Sequence, residues 1–176
     1  MYDFAANVCS AQWVSGAGQL PCRGVDGDHR GFVLYLPSPK LENGTTALQP
    51  GLITSPQMIN DGYIRGTYPG IVIQNGDHFK ATIGCENGAI ACDALFLLEY
   101  QLGPGPMRTY WAYSEQYDGE NTQIDVDLNL LAGEKVSLGL VVFPLGPVAE
   151  NRALWVAPRI VRMLATSTTI PALQLP

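Results

Sequence analysis

The sequence has few basic residues and no long apolar run. Its 176 residues include 10 Lys and Arg against 16 Asp and Glu, so the formal net charge is −6. Nucleic acid is therefore not expected as a partner, because binding to a phosphate backbone depends on clustered basic side chains. No stretch approaches the roughly 20 apolar residues that a membrane-spanning helix needs. The N-terminal MYDFAANVC also lacks the basic and apolar parts of a signal peptide.

Helical periodicity is also missing. No extended window places apolar residues at i, i+3, i+4 and i+7, so almost no α-helix is expected. The 19 Gly and 13 Pro are spread without a period, which is typical of a chain with many turns. With 47% hydrophobic and 15% charged residues, the composition favours one packed domain.

Short alternating apolar segments, separated by Gly, Asp and Asn, fill residues 75–162. In the clearest strand the apolar side chains alternate with polar ones, which predicts one buried and one solvated face. The apolar set is Ile124, Val126, Leu128 and Leu130, and the polar set is Asp125, Asp127 and Asn129. The pattern predicts an all-β, antiparallel β-sandwich over residues 1–162, with a linker or tail over residues 163–176. One helical turn is expected near residues 130–132, before Gly133.

Further strands are expected along the chain. Residues 2–16 are predicted to form an edge strand that packs Phe4, while Trp13 is either buried or exposed. The other predicted strands cover residues 32–36, 52–54, 71–74 and 79–84, the last one after an Asn75-Gly76 turn.

Four cysteines form two pairs that are close in sequence, Cys9 with Cys22 and Cys85 with Cys92. Three pairings are possible in principle. The local pairing is favoured because each pair brackets a Gly-containing loop that can turn back on itself. Free thiols and a metal site are the alternatives, although a zinc site usually has shorter spacing or nearby histidines. Disulfides indicate an oxidising compartment, so a mature chain, secreted or on the cell surface, is expected.

Several motifs within residues 75–162 together resemble a known fold family. They are Phe-x-Ala-x-Ile-Gly, an acidic Gly-rich turn, a strand with an internal Phe, a Val-Asp-Leu segment and a closing Ala-x-Trp-x-x-Pro-x-Ile. The matching positions are Phe79, Ala81, Ile83, Gly84, Phe96, Val126, Asp127, Leu128, Gly133, Val136, Leu138, Leu140, Ala153, Trp155, Pro158 and Ile160. This pattern resembles the galactose-binding-like jelly roll and, more narrowly, the bacterial novel carbohydrate-binding module family (NPCBM). The resemblance implies a carbohydrate-binding β-sandwich with Trp155 in its core.

The densest group of aromatic and polar side chains lies in MRTYWAYSEQYDGE, residues 107–120. Sugars bind to aromatic rings that stack on their C–H faces and to polar groups that bridge their hydroxyls. Strand alternation lets only one set face inward, either Trp111 with Tyr113 or Tyr110 with Arg108. The alternative interpretation is a strand whose aromatics only fill the core. The candidate ligand-binding residues are Arg108, Tyr110, Trp111, Tyr113, Glu115, Tyr117 and Asp118.

A possible cation site lies in the segment Asp26-Gly27-Asp28-His29. Alternate carboxylates on a Gly-containing loop can bind calcium, and galactose-binding-like jelly rolls often carry a structural calcium. The alternative is a solvated turn whose aspartates accept local hydrogen bonds. No other cofactor is expected.

Catalysis is not expected. Glu115, Asp118 and Glu120 are close in sequence, but sequence does not place them across a cleft as a glycosidase requires. The serines lack a nucleophile-elbow signature. The sequence therefore predicts a non-catalytic extracellular module that binds carbohydrate or a cell-surface glycan. The alternative is a structural or adhesive domain that contacts protein neighbours in a surface assembly, which would expose an apolar patch or an unpaired strand edge.

Overall fold

Twelve strands follow the chain in the computed structural model, which describes residues 1–163. They are β1 (Tyr2–Asp3), β2 (Gln12–Ser15), β3 (Gly18–Gln19), β4 (Phe32–Leu36), β5 (Gly51–Ser55), β6 (Ile64–Val72), β7 (Asp77–Cys85), β8 (Asp93–Leu102), β9 (Arg108–Gln116), β10 (Thr122–Asp127), β11 (Lys135–Pro144) and β12 (Ala153–Arg162). Sheet A has the order β10-β7-β12-β5-β4, with β1 also paired to β12. Sheet B has the order β3-β2-β6-β11-β8-β9.

The predicted all-β antiparallel sandwich is confirmed. Every strand pair is antiparallel, and the two sheets enclose one main hydrophobic core. Within residues 1–163 the helical segments are three 3₁₀ turns of three residues each. The turn expected near residue 130 is one of them, Asn129–Leu131.

Aromatic rings connect the two sheets through the middle of the core. The ring of Phe96, on sheet B, meets Trp155, on sheet A, edge-on with centroids 4.9 Å apart. The ring of Phe79 contacts both Trp155 and Phe4. The ring of Phe4 is edge-on to that of Tyr68, on sheet B, with centroids 4.7 Å apart. All five side chains are fully buried, and edge-to-face pairs of this kind contribute about 0.5–1.5 kcal/mol each beyond burial. The expectation that Trp155 lies in the core is confirmed.

The alternating strand β10 agrees with its predicted faces, except at its end. Ile124, Val126 and Leu128 are buried, whereas Leu130 is 90% exposed. The prediction that Leu130 faces the core was wrong, because the 3₁₀ turn that follows β10 changes the side-chain period from two to three. Leu131 takes the buried position instead.

The N-terminal segment forms two strands in different sheets, which corrects the single edge strand predicted for it. β1 pairs with β12 in sheet A, and β2 pairs with β6 in sheet B. The chain crosses between the sheets through a 3₁₀ turn at Val8–Ser10. Phe4 and Trp13 are both buried, and the indole Nε1 of Trp13 donates a hydrogen bond to the carbonyl of Val8 at 2.8 Å.

Strand β6 begins much earlier than the predicted residues 71–74 and ends at Val72. The start of β6 was not predicted because it contains Gly66, and a glycine inside a strand usually weakens a strand assignment. In the structure the ring of Trp13 lies directly against Gly66, and a β-carbon at this position would come within 2.5 Å of that ring. Packing against a tryptophan, rather than a turn, therefore accounts for the glycine.

Both predicted disulfides are confirmed. Cys9 bonds to Cys22 with 5.3 Å between the Cα atoms, and Cys85 bonds to Cys92 with 6.1 Å between them. The first closes the segment from the Val8–Ser10 turn past β3, and the second joins the end of β7 to the start of β8.

Strand β12 ends at Arg162. The linker or tail predicted for residues 163–176 lies, apart from Met163, outside the described residues. Within residues 1–163 no helix is long and apolar enough to cross a membrane.

We expect replacement of both Cys9 and Cys22 by serine to lower the free energy of unfolding by about 3 kcal/mol, because the disulfide closes a short loop in the unfolded chain. Urea denaturation of the oxidised proteins measures this difference. Reducing the wild-type protein should lower its stability by at least as much, since both bridges are then lost. Equal stability of the double variant and the oxidised wild type would contradict the expectation.

Candidate functional site

Strand β9 is the outermost strand of sheet B and carries the predicted aromatic segment. Trp111 pairs with Leu98 of β8, and Tyr113 pairs with Phe96. Directly opposed residues point to the same side of a sheet, and both β8 partners are fully buried. Trp111 and Tyr113 therefore lie on the inner face of sheet B. Their rings are within 2° of parallel with centroids 6.0 Å apart, and Tyr113 is 42% exposed at the sandwich edge.

A bulge in β9 changes the expected alternation at Tyr110. The register between β8 and β9 shifts between Leu98 and Glu99, which leaves Tyr110 without a directly opposed partner. Tyr110 also packs against the core, with its ring edge-on to Tyr100 at 5.7 Å. The prediction that Tyr110 faces away from Trp111 was wrong, because two residues of a bulged strand oppose one residue of the neighbour.

A cleft of about 420 Å³ opens between the end of β9 and the start of β10. Three predicted ligand residues, Tyr113, Glu115 and Asp118, line it, and Trp111 lies beside Tyr113. The sequence analysis did not assign Asp93, Asn121 or Thr122 to the site; two of these follow the aromatic segment directly. The complete lining is Asp93, Tyr113, Ser114, Glu115, Gln116, Asp118, Glu120, Asn121 and Thr122.

The carboxylate of Glu115 is the most deeply buried acid of the cleft. Only 6% of the residue is exposed, since it lies on the inner face opposite Ala94 of β8. Burial raises the pKa of Glu115, and the nearby negative charges of Glu42, Asp118 and Glu120 raise it further, while Thr122 lowers it. Within residues 1–163 its Oε2 atom has no hydrogen-bond partner.

A second buried carboxylate, that of Glu42, holds the wall of the cleft in place. Its Oε1 accepts the backbone N–H of Cys85 at 2.6 Å, and its Oε2 accepts those of Asp118 and Gly119, both at 3.0 Å. Glu42 lies between β4 and β5, so three separate parts of the chain meet at its side chain. Sequence reasoning missed it, because nothing local distinguishes this glutamate from an exposed one.

Tyr117 lies behind the cleft rather than in its lining. It packs against the disulfide between Cys85 and Cys92. Its hydroxyl donates a hydrogen bond to the carbonyl of Glu42 and accepts one from the N–H of Gly88, each at 3.3 Å. In this structure the side chain supports the loop that carries Asp118.

Asn121 adds a second buried polar atom without a partner to the cleft. Its Oδ1 accepts no hydrogen bond from any described residue. The amide lies against Gly84, where a β-carbon would come within 2.4 Å of Oδ1. A glycine at position 84 is therefore required to seat the Asn121 side chain.

Two predicted ligand residues lie at the far end of β9. Arg108 pairs with Tyr100 and, with Leu102, lines a separate small depression. Tyr110 donates a hydrogen bond from its hydroxyl to the carbonyl of Asp127 at 2.7 Å. Seven residues separate Arg108 from Glu115, which corresponds to about 20 Å along a strand. The structure therefore does not bring Arg108 and Tyr110 together with the cleft.

The aspartates of the predicted calcium loop each contact an arginine. Asp28 pairs with Arg30 at 2.7 Å, and Asp26 pairs with Arg152 at 2.5 Å. Arg152 also binds Glu86. Among residues 1–163 no group of three or more His, Cys, Asp or Glu side chains is arranged to hold a metal ion. Calcium binding by Asp26 and Asp28 stays a prediction.

We expect Glu42→Ala to lower the free energy of unfolding by about 3 kcal/mol, because three backbone N–H groups lose a charged acceptor. Glu42→Gln should lower it by less, since the amide retains one oxygen. The exposed Glu134→Ala serves as the control. Chemical denaturation of all three variants checks the order, which a loss of stability no larger for Glu42→Ala than for Glu134→Ala would contradict.

The raised pKa of Glu115 predicts a pH-dependent effect of Glu115→Gln. Between its ordinary pKa of about 4.3 and its raised folded-state pKa, the folded protein binds more protons than the unfolded chain. The wild type therefore loses stability as pH rises through this interval. The difference in the free energy of unfolding, Glu115→Gln minus wild type, should therefore be more positive at pH 7 than at pH 3.5. Chemical denaturation of both proteins at the two pH values measures this difference. A difference between the two proteins that does not change with pH would contradict the assignment.

Comparisons with known proteins identify the fold. No protein-family model and no curated protein matches the chain. Among solved structures, the C-terminal family 22 carbohydrate-binding module of Clostridium thermocellum Xyn10B matches with a TM-score of 0.50 at 13% identity, covering 94% of each chain. The family 51 module of a Clostridium perfringens glycoside hydrolase, solved with methyl-galactose, matches with a TM-score of 0.48 at 16% identity, covering 70% of this chain and 79% of the module.

The resemblance derived from the sequence motifs is thereby confirmed for the fold. The chain shares the β-sandwich architecture of the family 22 carbohydrate-binding module. At 13% identity, the likeness to the family 22 module establishes the architecture alone.

Proposed function

We propose that this protein is a non-catalytic extracellular module that binds carbohydrate in the cleft beside Trp111 and Tyr113. The observation that carries the proposal is the pair of parallel rings on an outermost strand, adjoining a cleft lined by polar side chains. Elsewhere in the core, large aromatics such as Phe96 and Trp155 are fully buried. Tyr113 is not, so part of its ring remains available for contact.

The chemistry of the lining suits a sugar. A pyranose presents a C–H face that stacks on an aromatic ring, and hydroxyls that need hydrogen-bonding partners around its rim. Tyr113 supplies the ring. Gln116, Asn121 and Thr122 offer groups that both donate and accept, and the carboxylates of the cleft accept from hydroxyls.

The fold and the disulfides support the proposal independently of the site. The family 22 module with the same architecture is a carbohydrate-binding module by its description, and this is an analogy at the level of the fold. Two disulfides are typical of proteins in oxidising compartments, so we place this chain outside the cytoplasm, secreted or on the cell surface. Its partner there is a glycan.

The non-catalytic part of the proposal follows from how the buried acids are used. Glu42 is committed to three backbone N–H groups and is not available to transfer a proton. Glu115 remains as the buried carboxylate that faces the cleft. A glycosidase pairs such an acid with a positioned second carboxylate, and we assign the other acids of the cleft to binding.

The competing function is a structural or adhesive domain that contacts protein neighbours. The unpaired sides of β9 and β10, which end their sheets among the described residues, are the feature that favours it. Binding experiments distinguish the two functions, because a structural or adhesive domain self-associates or binds protein without recognising any glycan.

We expect Tyr113→Ala to reduce glycan affinity at least tenfold without unfolding the protein, because the ring is partly exposed. Binding to a glycan array, followed by titration of the best ligand, measures the loss. Tyr63→Ala is the matched control, since Tyr63 packs on Phe143 of β11. Mass spectrometry of the bound oligosaccharide should show it intact. Unchanged affinity of Tyr113→Ala would exclude this cleft, and no glycan binding together with self-association would support the competing function.

A further inference from the structure

We propose that the cleft recognises a cationic amino sugar, a glycan unit with a free ammonium group, and that this ammonium binds against Glu115. The inference rests on the proposed function and names its ligand class. It depends on the charge of the cleft, on two buried polar atoms without partners and on the way carboxylates are paired elsewhere in the molecule.

The first step is the unsatisfied oxygen of Glu115. The residue is 94% buried, and no donor within residues 1–163 reaches its Oε2. A buried carboxylate oxygen without a hydrogen bond is costly, so structures usually supply a donor from protein, solvent or ligand. Glu115 also lines the cleft, so a ligand bound there lies beside this carboxylate.

The second step is the charge of the whole cleft. Four of its nine lining residues are acidic, namely Asp93, Glu115, Asp118 and Glu120, and none of the nine is basic. A cleft lined by charge of one sign concentrates ligands of the opposite sign. Uronic acids and sulfated sugars would be repelled, whereas a sugar ammonium would be attracted.

The third step is the contrast with carboxylates elsewhere. Outside the cleft, six acidic residues in the described part of the chain form ion pairs with Arg, Lys or His: Asp26, Asp28, Asp77, Glu86, Glu99 and Asp125. None of the four cleft acids forms such a pair within residues 1–163. Within residues 1–163, half of the twelve acidic residues outside the cleft are thus paired with a cationic side chain, whereas none of the four in the cleft is.

An ammonium group suits this acidic cleft better than a hydroxyl does. A hydroxyl donates one hydrogen bond and leaves the buried negative charge uncompensated. An ammonium donates three and neutralises the charge, and such charge-assisted bonds are about twice as strong as neutral ones. Asn121, whose Oδ1 also has no partner among the described residues, lines the same cleft.

The same groups make binding depend on pH. Glu115 faces Thr122 of β10, Asp118 and Glu120 of the following loop and Glu42 of the β4–β5 loop, while Asp93 of β8 lines the same cleft. Only the ionised carboxylate pairs with an ammonium. Affinity should therefore rise as pH increases through the elevated pKa of Glu115, and fall again when the amine of the sugar loses its proton.

The test compares three tetrasaccharides of equal length by isothermal titration calorimetry: a β-1,4-glucosamine tetramer, its fully N-acetylated counterpart and a galacturonic acid tetramer. The wild type should bind the glucosamine tetramer at least tenfold more tightly than the acetylated one, and should not bind the uronate. Glu115→Gln should lose this preference and the rise in affinity with pH. Glu134→Gln controls for a general loss of negative charge.

Each outcome is decisive. Equal binding of the free and acetylated tetramers, or an undiminished preference in Glu115→Gln, overturns the inference while leaving carbohydrate binding intact. Binding of neutral glycans on an array but not of the glucosamine tetramer does the same. Failure to bind any glycan removes the proposed function itself. Should Glu115→Gln not fold, Glu120→Gln at the cleft rim serves as the second variant, with a smaller loss of preference expected.

Discussion

A single buried carboxylate, that of Glu42, joins the parts of the molecule from which the cleft is built. It accepts backbone N–H groups from Cys85 at the end of β7 and from Asp118 and Gly119 in the β9–β10 loop. These donors are 43 to 77 residues away in sequence. Without this acceptor the buried N–H of Cys85 would be unsatisfied, which costs more than a hydrogen bond gains. The position of Asp118, and so one wall of the cleft, depends on this contact.

Strand β9, at one end of sheet B, has aromatic side chains that pack on the core and are also partly exposed. The inner face of β9 continues the aromatic packing of β8, since Trp111 and Tyr113 oppose Leu98 and Phe96. A strand at the end of a sheet is covered less completely than a central one, so Tyr113 stays accessible while Phe96 is fully buried. The bulge leaves Tyr110 without a directly opposed partner, and its ring packs edge-on against Tyr100.

The acidic residues of the sandwich and those of the cleft differ in how their charge is compensated. Two buried carboxylates of the sandwich form ion pairs with arginine, Asp77 with Arg162 and Glu99 with Arg65. Burial alone would raise the pKa of Asp77, but Arg162 and the N–H of Gln74 outweigh it and lower that pKa. Within residues 1–163 Glu115 has no such arginine, and burial raises its pKa instead. The opposite directions of the two shifts separate an acid that supports the fold from one that faces the cleft.

The strand-rich sandwich and both disulfides were predictable from the sequence, because alternation, turn residues and cysteine spacing are local signals. The sequence did not determine β6, since Gly66 is explained only by the ring of Trp13 against it. It also did not separate Arg108 from Glu115, nor assign Glu42 any role. Those features depend on a bulge, on the end of a sheet and on contacts between residues distant in the chain, which only the tertiary structure brings together.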